Sequence, residues 1–411
     1  MKKKYTTKST ALMSLNTAAL ALLAFNCEIA MAGRVDETLN TNFQYGRYNE
    51  SGNNQMEVDI FEGIVTTPIG KSMTGSVSVV RDVISGASQR ANRKDINGNI
   101  VHAMSGASIS EQRDAIGANL TNYFQDIALN FGGGFSREND YTSRYTNAQI
   151  SYDLNKKLTT LNLGASIAFD VIEPTNTNVN CSDAKINPQC HKTSQQYLMG
   201  LTQVIDKNTL LALNMTVNYS AGFLSDPYKE VYFYDPIRTN TVSGIVLDNR
   251  PKHRMQFAWL AQYVHHIESF NHAALHLDYR FGMDDWGIQS HTTELNWFQP
   301  LGLEWQLVPR FRYYTQDSAD FYAPVFYAVR SNVVKTEMHS SDYRLAGFGG
   351  ISGGVKLLRD FKELNGIDLM RWQIGIEFYD HKHSYQLGNS AGGRFDDFSY
   401  ALFNTSFSLK F

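Results

Sequence analysis

Arginines and carboxylates recur at alternate positions within otherwise apolar stretches of this chain. Arg254, Arg280, Arg310, Arg312, Arg344 and Arg371 belong to this set, as do Asp278, Glu294, Glu304 and Glu377. Charges spaced in this way either line a water-filled path, where they bias which solutes pass, or pair with one another as internal scaffolding. The two signs are mixed, which argues against a strong preference for ions of one charge. His381 and His383 stand two apart, so on a strand both rings project to one side. With His291, His339, Asp284 and Asp285 at a similar level, they would suit a divalent metal. Ser290 and His291 are adjacent, which on a strand points the hydroxyl and the imidazole apart and argues against hydrolase chemistry. Cys181 and Cys190 lie close together in a polar stretch, and in an oxidising compartment they are expected to form a loop disulfide. The acidic segments Asp226-Pro227-Tyr228-Lys229 and Asp317-Ser318-Ala319-Asp320-Phe321-Tyr322 are expected to be solvated loops, with Ca²⁺ or bridged lipopolysaccharide as the functional alternative.

Positioning these residues requires strands. Sixteen are read, at 39–48, 55–66, 71–84, 112–124, 126–136, 142–154, 158–171, 195–205, 209–221, 251–266, 271–284, 287–298, 302–315, 341–356, 367–385 and 394–411. In 271–284, Ala273, Leu275, Leu277, Tyr279, Phe281 and Met283 alternate with His276, Asp278, Arg280 and Asp284. In 302–315, Leu303, Trp305, Leu307, Phe311 and Tyr313 alternate with Glu304, Gln306, Arg310 and Arg312. Alternation of this kind, apolar outward and charged inward, is the pattern of a transmembrane antiparallel β-barrel. A slip of one residue would place several charges in hydrocarbon, at about 2–4 kcal/mol for each Arg near the midplane. Trp297, Phe298, Tyr313 and Tyr379 are assigned to the interfacial girdles.

The connections support this reading. Pro68-Ile69-Gly70, Asn155-Lys156-Lys157, Asp206-Lys207-Asn208 and Pro300-Leu301-Gly302 are tight turns on one side. The long polar segments 85–111, 172–194, 222–250 and 316–340 fall on the other, the asymmetry of short periplasmic turns and long outer loops. An even strand count returns both termini to the periplasm. The closing run Phe403, Thr405, Phe407, Leu409 and Phe411 has the terminal aromatic of outer-membrane barrels. Segment 85–111 is the candidate plug. It carries Ser-Gly-Ala-Ser twice, at 85–88 and 105–108, read as tight turns, a constriction or an anion nest.

Residues 1–32 have the form of an export signal: Lys2, Lys3, Lys4 and Lys8, an apolar core from Ala11 to Phe25, and Ala30-Met31-Ala32 as the cleavage site. Residues 33–411 would then be one barrel domain in the outer membrane of a Gram-negative bacterium. It would contact lipid and lipopolysaccharide and be inserted by the barrel-assembly machinery. The 411 residues carry a formal net charge of −3, and loss of the basic leader makes the remainder more acidic, which excludes nucleic acid as a partner. The length is too small for a plugged barrel of about 22 strands. No cofactor motif is present.

Several segments together resemble one family of Gram-negative outer-membrane barrels known only as a domain of unknown function. They are Gly222 to Lys229, Arg250-Pro251, Asp278-Tyr279-Arg280, Asp284 to Ile288, Ser290-His291-Thr292, Arg312-Tyr313-Tyr314, Ala319 to Tyr322, Ser340 to Leu345, Ser85 to Ser88, and Glu138 to Tyr141. The resemblance implies gene neighbours encoding a small lipoprotein, a thioredoxin-like protein and a flavin transferase, hence service to an envelope redox or metal-handling system. It transfers no catalytic residues, and without a C-x-x-C-H the chain would not hold haem. The expected function is a channel or conduit for a small solute or ion, not an enzyme. The alternative is a closed scaffold that docks a periplasmic lipoprotein or redox partner.

Overall fold

The ends of the chain meet edge to edge. Asn40 pairs with Lys410 and Glu50 with Tyr400, and this ladder closes a ring of sixteen antiparallel strands. The computed structural model describes residues 38–51, 56–86, 89–104, 109–175, 179, 189–329, 338–364, 366–388 and 397–411. The expected export signal and the second Ser-Gly-Ala-Ser lie outside the described residues, as does half of the first.

In chain order, β1 (Asn40–Glu50), β2 (Glu57–Ile69) and β3 (Met73–Gly86) open the wall. A small hairpin, β4 (Gln89–Lys94) and β5 (Ile100–Met104), interrupts it. The wall resumes with β6 (Ile109–Tyr123), β7 (Ile127–Arg137), β8 (Tyr141–Leu154), β9 (Thr159–Ile172), β10 (Cys190–Asp206) and β11 (Thr209–Gly222). A second outer hairpin, β12 (Glu230–Tyr234) and β13 (Val242–Leu247), precedes β14 (His253–Ile267), β15 (Ala273–Asp284), β16 (Gln289–Gly302) and β17 (Trp305–Gln316). The short β18 (Phe326–Tyr327) pairs with β12 in parallel, making a three-stranded sheet outside the wall. The last three wall strands are β19 (Phe348–Leu364), β20 (Ile367–Lys382) and β21 (Phe398–Lys410).

Each of the sixteen expected strands has its counterpart, and the pattern of faces explains why. Leu277, Tyr279, Met283, Phe311, Ile376, Phe378, Phe403 and Phe407 are all exposed on the outer surface. A belt of large apolar side chains open to the surroundings is stable only against lipid, and a closed ring satisfies every backbone group there. The protein is an outer-membrane β-barrel.

Whereas the short β7–β8 and β15–β16 turns lie at the other end, the four tight turns expected on one side, at 68–70, 155–157, 206–208 and 300–302, lie at the end that carries both termini. Asn155, Lys156 and Lys157 hold φ of 50°, 57° and 71° there, a left-handed run that fits a polar turn in water.

Three expectations are corrected. The strand placed at 341–356 begins at Phe348, and Tyr343–Leu345 is instead a single 3₁₀ turn in the preceding loop. Arg344 therefore sits on a loop, not on the wall. Glu304 is not in the lumen: it lies in the β16–β17 turn at φ 66°, where Lys362 reaches it at 3.0 Å. Tyr379 and Phe298 do not belong to lipid girdles. Tyr379 stacks on Tyr400 at 4.4 Å and Phe298 lies against His276 at 4.4 Å with the rings tilted by 42°, on the face that the alternation assigns to the lumen.

Candidate functional site

The outer loops fold onto one another and onto the mouth. Between β11 and β14, the Asp226 carboxylate accepts the Tyr228 amide at 3.0 Å, making a tight turn, and the Asp226 amide donates to Asp248 at 2.9 Å. From the loop between β17 and β19, the 3₁₀ turn begins at Asp342, which accepts the Arg344 amide at 3.2 Å. The two loops are then riveted by charge. Arg250 donates to Asp248 at 2.6 Å and to Asp342 at 2.8 Å. Arg344 donates through Nε to both oxygens of Asp342 at 2.8 Å and through Nη2 to Asp226 at 2.8 Å. The β4–β5 hairpin joins them: Asn92 donates to the Ser341 carbonyl at 3.0 Å, and the Lys229 ammonium donates to the Gln89 carbonyl.

This cap spans the mouth from wall to wall. Tyr343 packs edge-on against Phe398 of β21 at 5.3 Å. At the other end, Tyr228 donates to Asp140, in the β7–β8 turn, and receives the Thr175 amide, beyond β9, at 3.2 Å. The Phe223 amide meets the His191 carbonyl of β10 at 2.9 Å. In a ring of sixteen, β10 and β21 stand eight strands apart, directly opposite. Trp286, Ile288, Ala319, Tyr322, Leu345, Ala346 and Phe348 form the apolar core under one side of the cap. Gly287 makes this packing possible, since a Cβ there would collide with the Asp320 carboxylate and its φ is +88°.

Burial sets the protonation of the cap. Burial alone would push the Asp342 carboxyl up, but Arg344, Lys229 and Arg250 outweigh it and hold the group well below the usual carboxylate range. Asp248 is raised, because burial there exceeds the help from Arg250. Burial likewise depresses the Lys229 ammonium against the pull of Asp342. It pushes the Tyr343 hydroxyl up to about 12. Both arginines are held further above their ordinary value by the aspartates around them, against the opposing effect of burial. The cap is thus a largely buried charged network, which pays off only while every member keeps its partner.

Beneath the cap lies a chamber of about 490 Å³, lined among others by Lys192, Arg250, Arg254, Arg280, Arg344, Asp226 and Asp284. Lys192 is held by Asp170 at 3.0 Å, and Arg254 by Asp284 at 2.9 Å while lying over the Trp286 ring at 4.4 Å. Arg280 is exposed to the chamber. Cations therefore outnumber carboxylates on this lining, although the sequence as a whole has mixed signs.

The other expected lumen residues form a separate group lower in the wall. Arg310 donates to Glu294 at 2.7 and 3.0 Å and to Glu377 at 2.6 Å, and Ser352 donates to Glu377 at 2.8 Å. Asp278 and Arg312 stand opposite Glu294 on its two neighbouring strands. Arg371 pairs with Asp360 at 2.7 Å near the periplasmic end. His381 and His383 do not share a site: His381 stacks on Phe398 at 4.7 Å, while His383 meets the Gly347 carbonyl at 2.8 Å. His291 meets the Tyr279 hydroxyl at 2.7 Å on the outer face, and His339 meets the Leu247 carbonyl at 3.1 Å. Among the described residues, no three metal-ligating side chains are gathered. Cys190 is disulfide-bonded and buried at the head of β10. Its expected partner, Cys181, lies outside the described residues. Asp226, expected as solvated, is buried and paired instead.

Asp248, Arg250 and Asp342 were not recognisable as a site from spacing. Arg250 and Asp342 carry one sequence signal, membership of segments that carry the family resemblance, and Asp248 carries none; the segments 222–229, 250–251 and 340–345 meet in the cap. The family model described as "Protein of unknown function (DUF3570)" matches residues 12–402. The chain belongs to this family. Comparison with curated proteins gives no match. Among solved structures, a bacterial polysaccharide outer membrane secretin is similar at 8% identity and a TM-score of 0.47, over 92% of this chain and 99% of that one. The outer membrane protein opdK from Pseudomonas aeruginosa aligns at 9% identity and 0.43, over 91% and 99%. Acinetobacter baumannii OccAB1 aligns at 11% and 0.40, over 92% and 98%. At these levels nothing about activity passes from them to this chain.

Proposed function

We propose that this barrel is a channel for small solutes, with an outer entrance governed by the three-loop cap and a lumen that favours anions. The observation that carries this reading is the chamber of about 490 Å³ under the cap, whose lining carries Arg280, Arg254, Lys192, Arg250 and Arg344 against only Asp226 and Asp284 among the described residues, while Asp170, the partner of Lys192, is off the lining. A cleft lined by one sign of charge with low-dielectric walls concentrates ions of the other sign. Purified protein in a planar bilayer should show discrete conductance with a reversal potential displaced toward anions, and Arg280→Glu should move that displacement toward cations. A cation-selective wild-type pore would sink the anion preference, and silence under all conditions would sink the channel.

A second reading is favoured by the cap itself. A wall-to-wall charged plate could close the barrel for good and serve as a scaffold for a lipoprotein or redox partner. A silent barrel that co-purifies with one periplasmic protein would support it, and steady conductance would exclude it. Service to an envelope redox or metal-handling system belongs to either reading as a proposal, supported only by the family resemblance, as does insertion by the barrel-assembly machinery.

A further inference from the structure

A second chamber, of about 470 Å³, lies between the cap and the inner wall of β20, β21, β1 and β2. Its wall side is a ladder of rings. His381 lies parallel to Phe398 at 4.7 Å and 4°, Tyr400 stacks on His381 at 5.4 Å and on Tyr379 at 4.4 Å, and Tyr48 meets Tyr400 at 4.6 Å. Both ring nitrogens of His381 are buried with no hydrogen-bond partner. Its cap side carries Lys229, only 5% exposed. Among the described residues the Lys229 ammonium forms no ion pair. It donates to the Gln89 carbonyl and lies 5.7 Å from the centre of the Tyr343 ring.

A buried ammonium without a carboxylate in contact is expensive to keep, and a bound anion would relieve that cost. Arg344 also touches this chamber, but its guanidinium is taken by Asp342 and Asp226. Among the described residues Glu50 is the single carboxylate on the lining, so a monoanion is favoured over a dianion. The volume is within the roughly 300–1,000 Å³ of small-molecule pockets. Stacked rings of this kind are naturally extended by another flat ring.

We propose that this chamber binds a small aromatic carboxylate, its ring against the His381–Tyr400 ladder and its carboxylate at Lys229. This inference does not depend on conduction, because it concerns a site between cap and wall that can fill whether or not solute crosses.

The test is calorimetric titration of the full-length protein in detergent with benzoate, acetate and benzamide. Benzoate should bind one per barrel, at least about ten-fold more tightly than acetate or benzamide, since a charge-assisted contact and the ring contact each add a factor of that order. Lys229→Met should abolish the preference for benzoate over benzamide, and Tyr400→Leu should weaken both ring ligands together. Benzoate binding no tighter than acetate overturns the proposal, as does wild-type benzoate affinity in Lys229→Met. Should Lys229→Met not fold, Tyr400→Leu decides: unchanged benzoate affinity there also overturns it. A silent barrel that binds benzoate removes the channel and keeps this site, and a conducting barrel that ignores benzoate does the reverse.

Discussion

Arg344 and Asp226 lie 118 residues apart in sequence and 2.8 Å apart in space. That contact ties the loop after β17 to the loop after β11, and with Tyr343 and Tyr228 on either side it completes the bridge across the mouth. Removing one member of a buried pair leaves the other charge stranded, at about 3–5 kcal/mol. That cost falls on the cap, because neither residue belongs to the wall.

Arg344→Ala should therefore leave the barrel folded but the cap loose. Heat-modifiable migration on gels should match wild type, whereas protease cleavage within the loops after β11 and β17 should accelerate by about a hundred-fold or more, following the same 3–5 kcal/mol. Cleavage at the wild-type rate would show that the bridge does not hold the loops.

Acid should act on the cap in two opposite steps. Asp342 is depressed in the folded protein, so its contribution is complete above the unfolded carboxylate value of about 3.9 and lost only as pH falls below that, through its own lower value. Asp248 is raised, so its contribution is complete below about 3.9 and lost as pH climbs through its folded value. Hydrogen exchange of the 338–347 segment, corrected for intrinsic rate, should slow slightly from neutrality toward about pH 4 and quicken below it. Asp248→Asn should flatten the upper limb alone. Opening that begins near neutrality in the wild type would contradict the assignment.

Gly287→Val meets two obstacles, a left-handed φ and the Asp320 carboxylate. Together these should cost about 1–3 kcal/mol. The loss should appear as faster cleavage of the 317–347 loop, with the barrel melting temperature unchanged. A variant as resistant as wild type would mean that the Asp284 to Ile288 turn has room to shift.

Cys190 should be joined to Cys181. A mass map without reductant should show the two peptides linked, with nothing attached to a peptide containing Cys27. The crosslink closes a short loop and should be worth up to about 3 kcal/mol locally. Separate, alkylatable peptides would exclude the pairing.

The barrel was legible because its determinants are local. A strand repeats every two residues, lipid tolerates no charge, and the alternation of Leu277, Tyr279 and Phe281 with Asp278 and Arg280 therefore fixes both the strand and its faces. Tyr379 and Phe298 were misplaced for the same reason: near a strand end an aromatic satisfies either face, and only its neighbours on other strands decide.

What the sequence by itself determined is the wall: sixteen strands, their direction, the side of the short turns, and which charges avoid lipid. The tertiary structure alone decided the cap. Asp226, Asp248, Arg250, Asp342 and Arg344 come from two loops joined through no local pattern, and their pairing becomes favourable only when packing removes water from all of them at once. Solvated loop residues and a buried charge network have the same letters. Desolvation, a property of the assembled mouth, is what separates them.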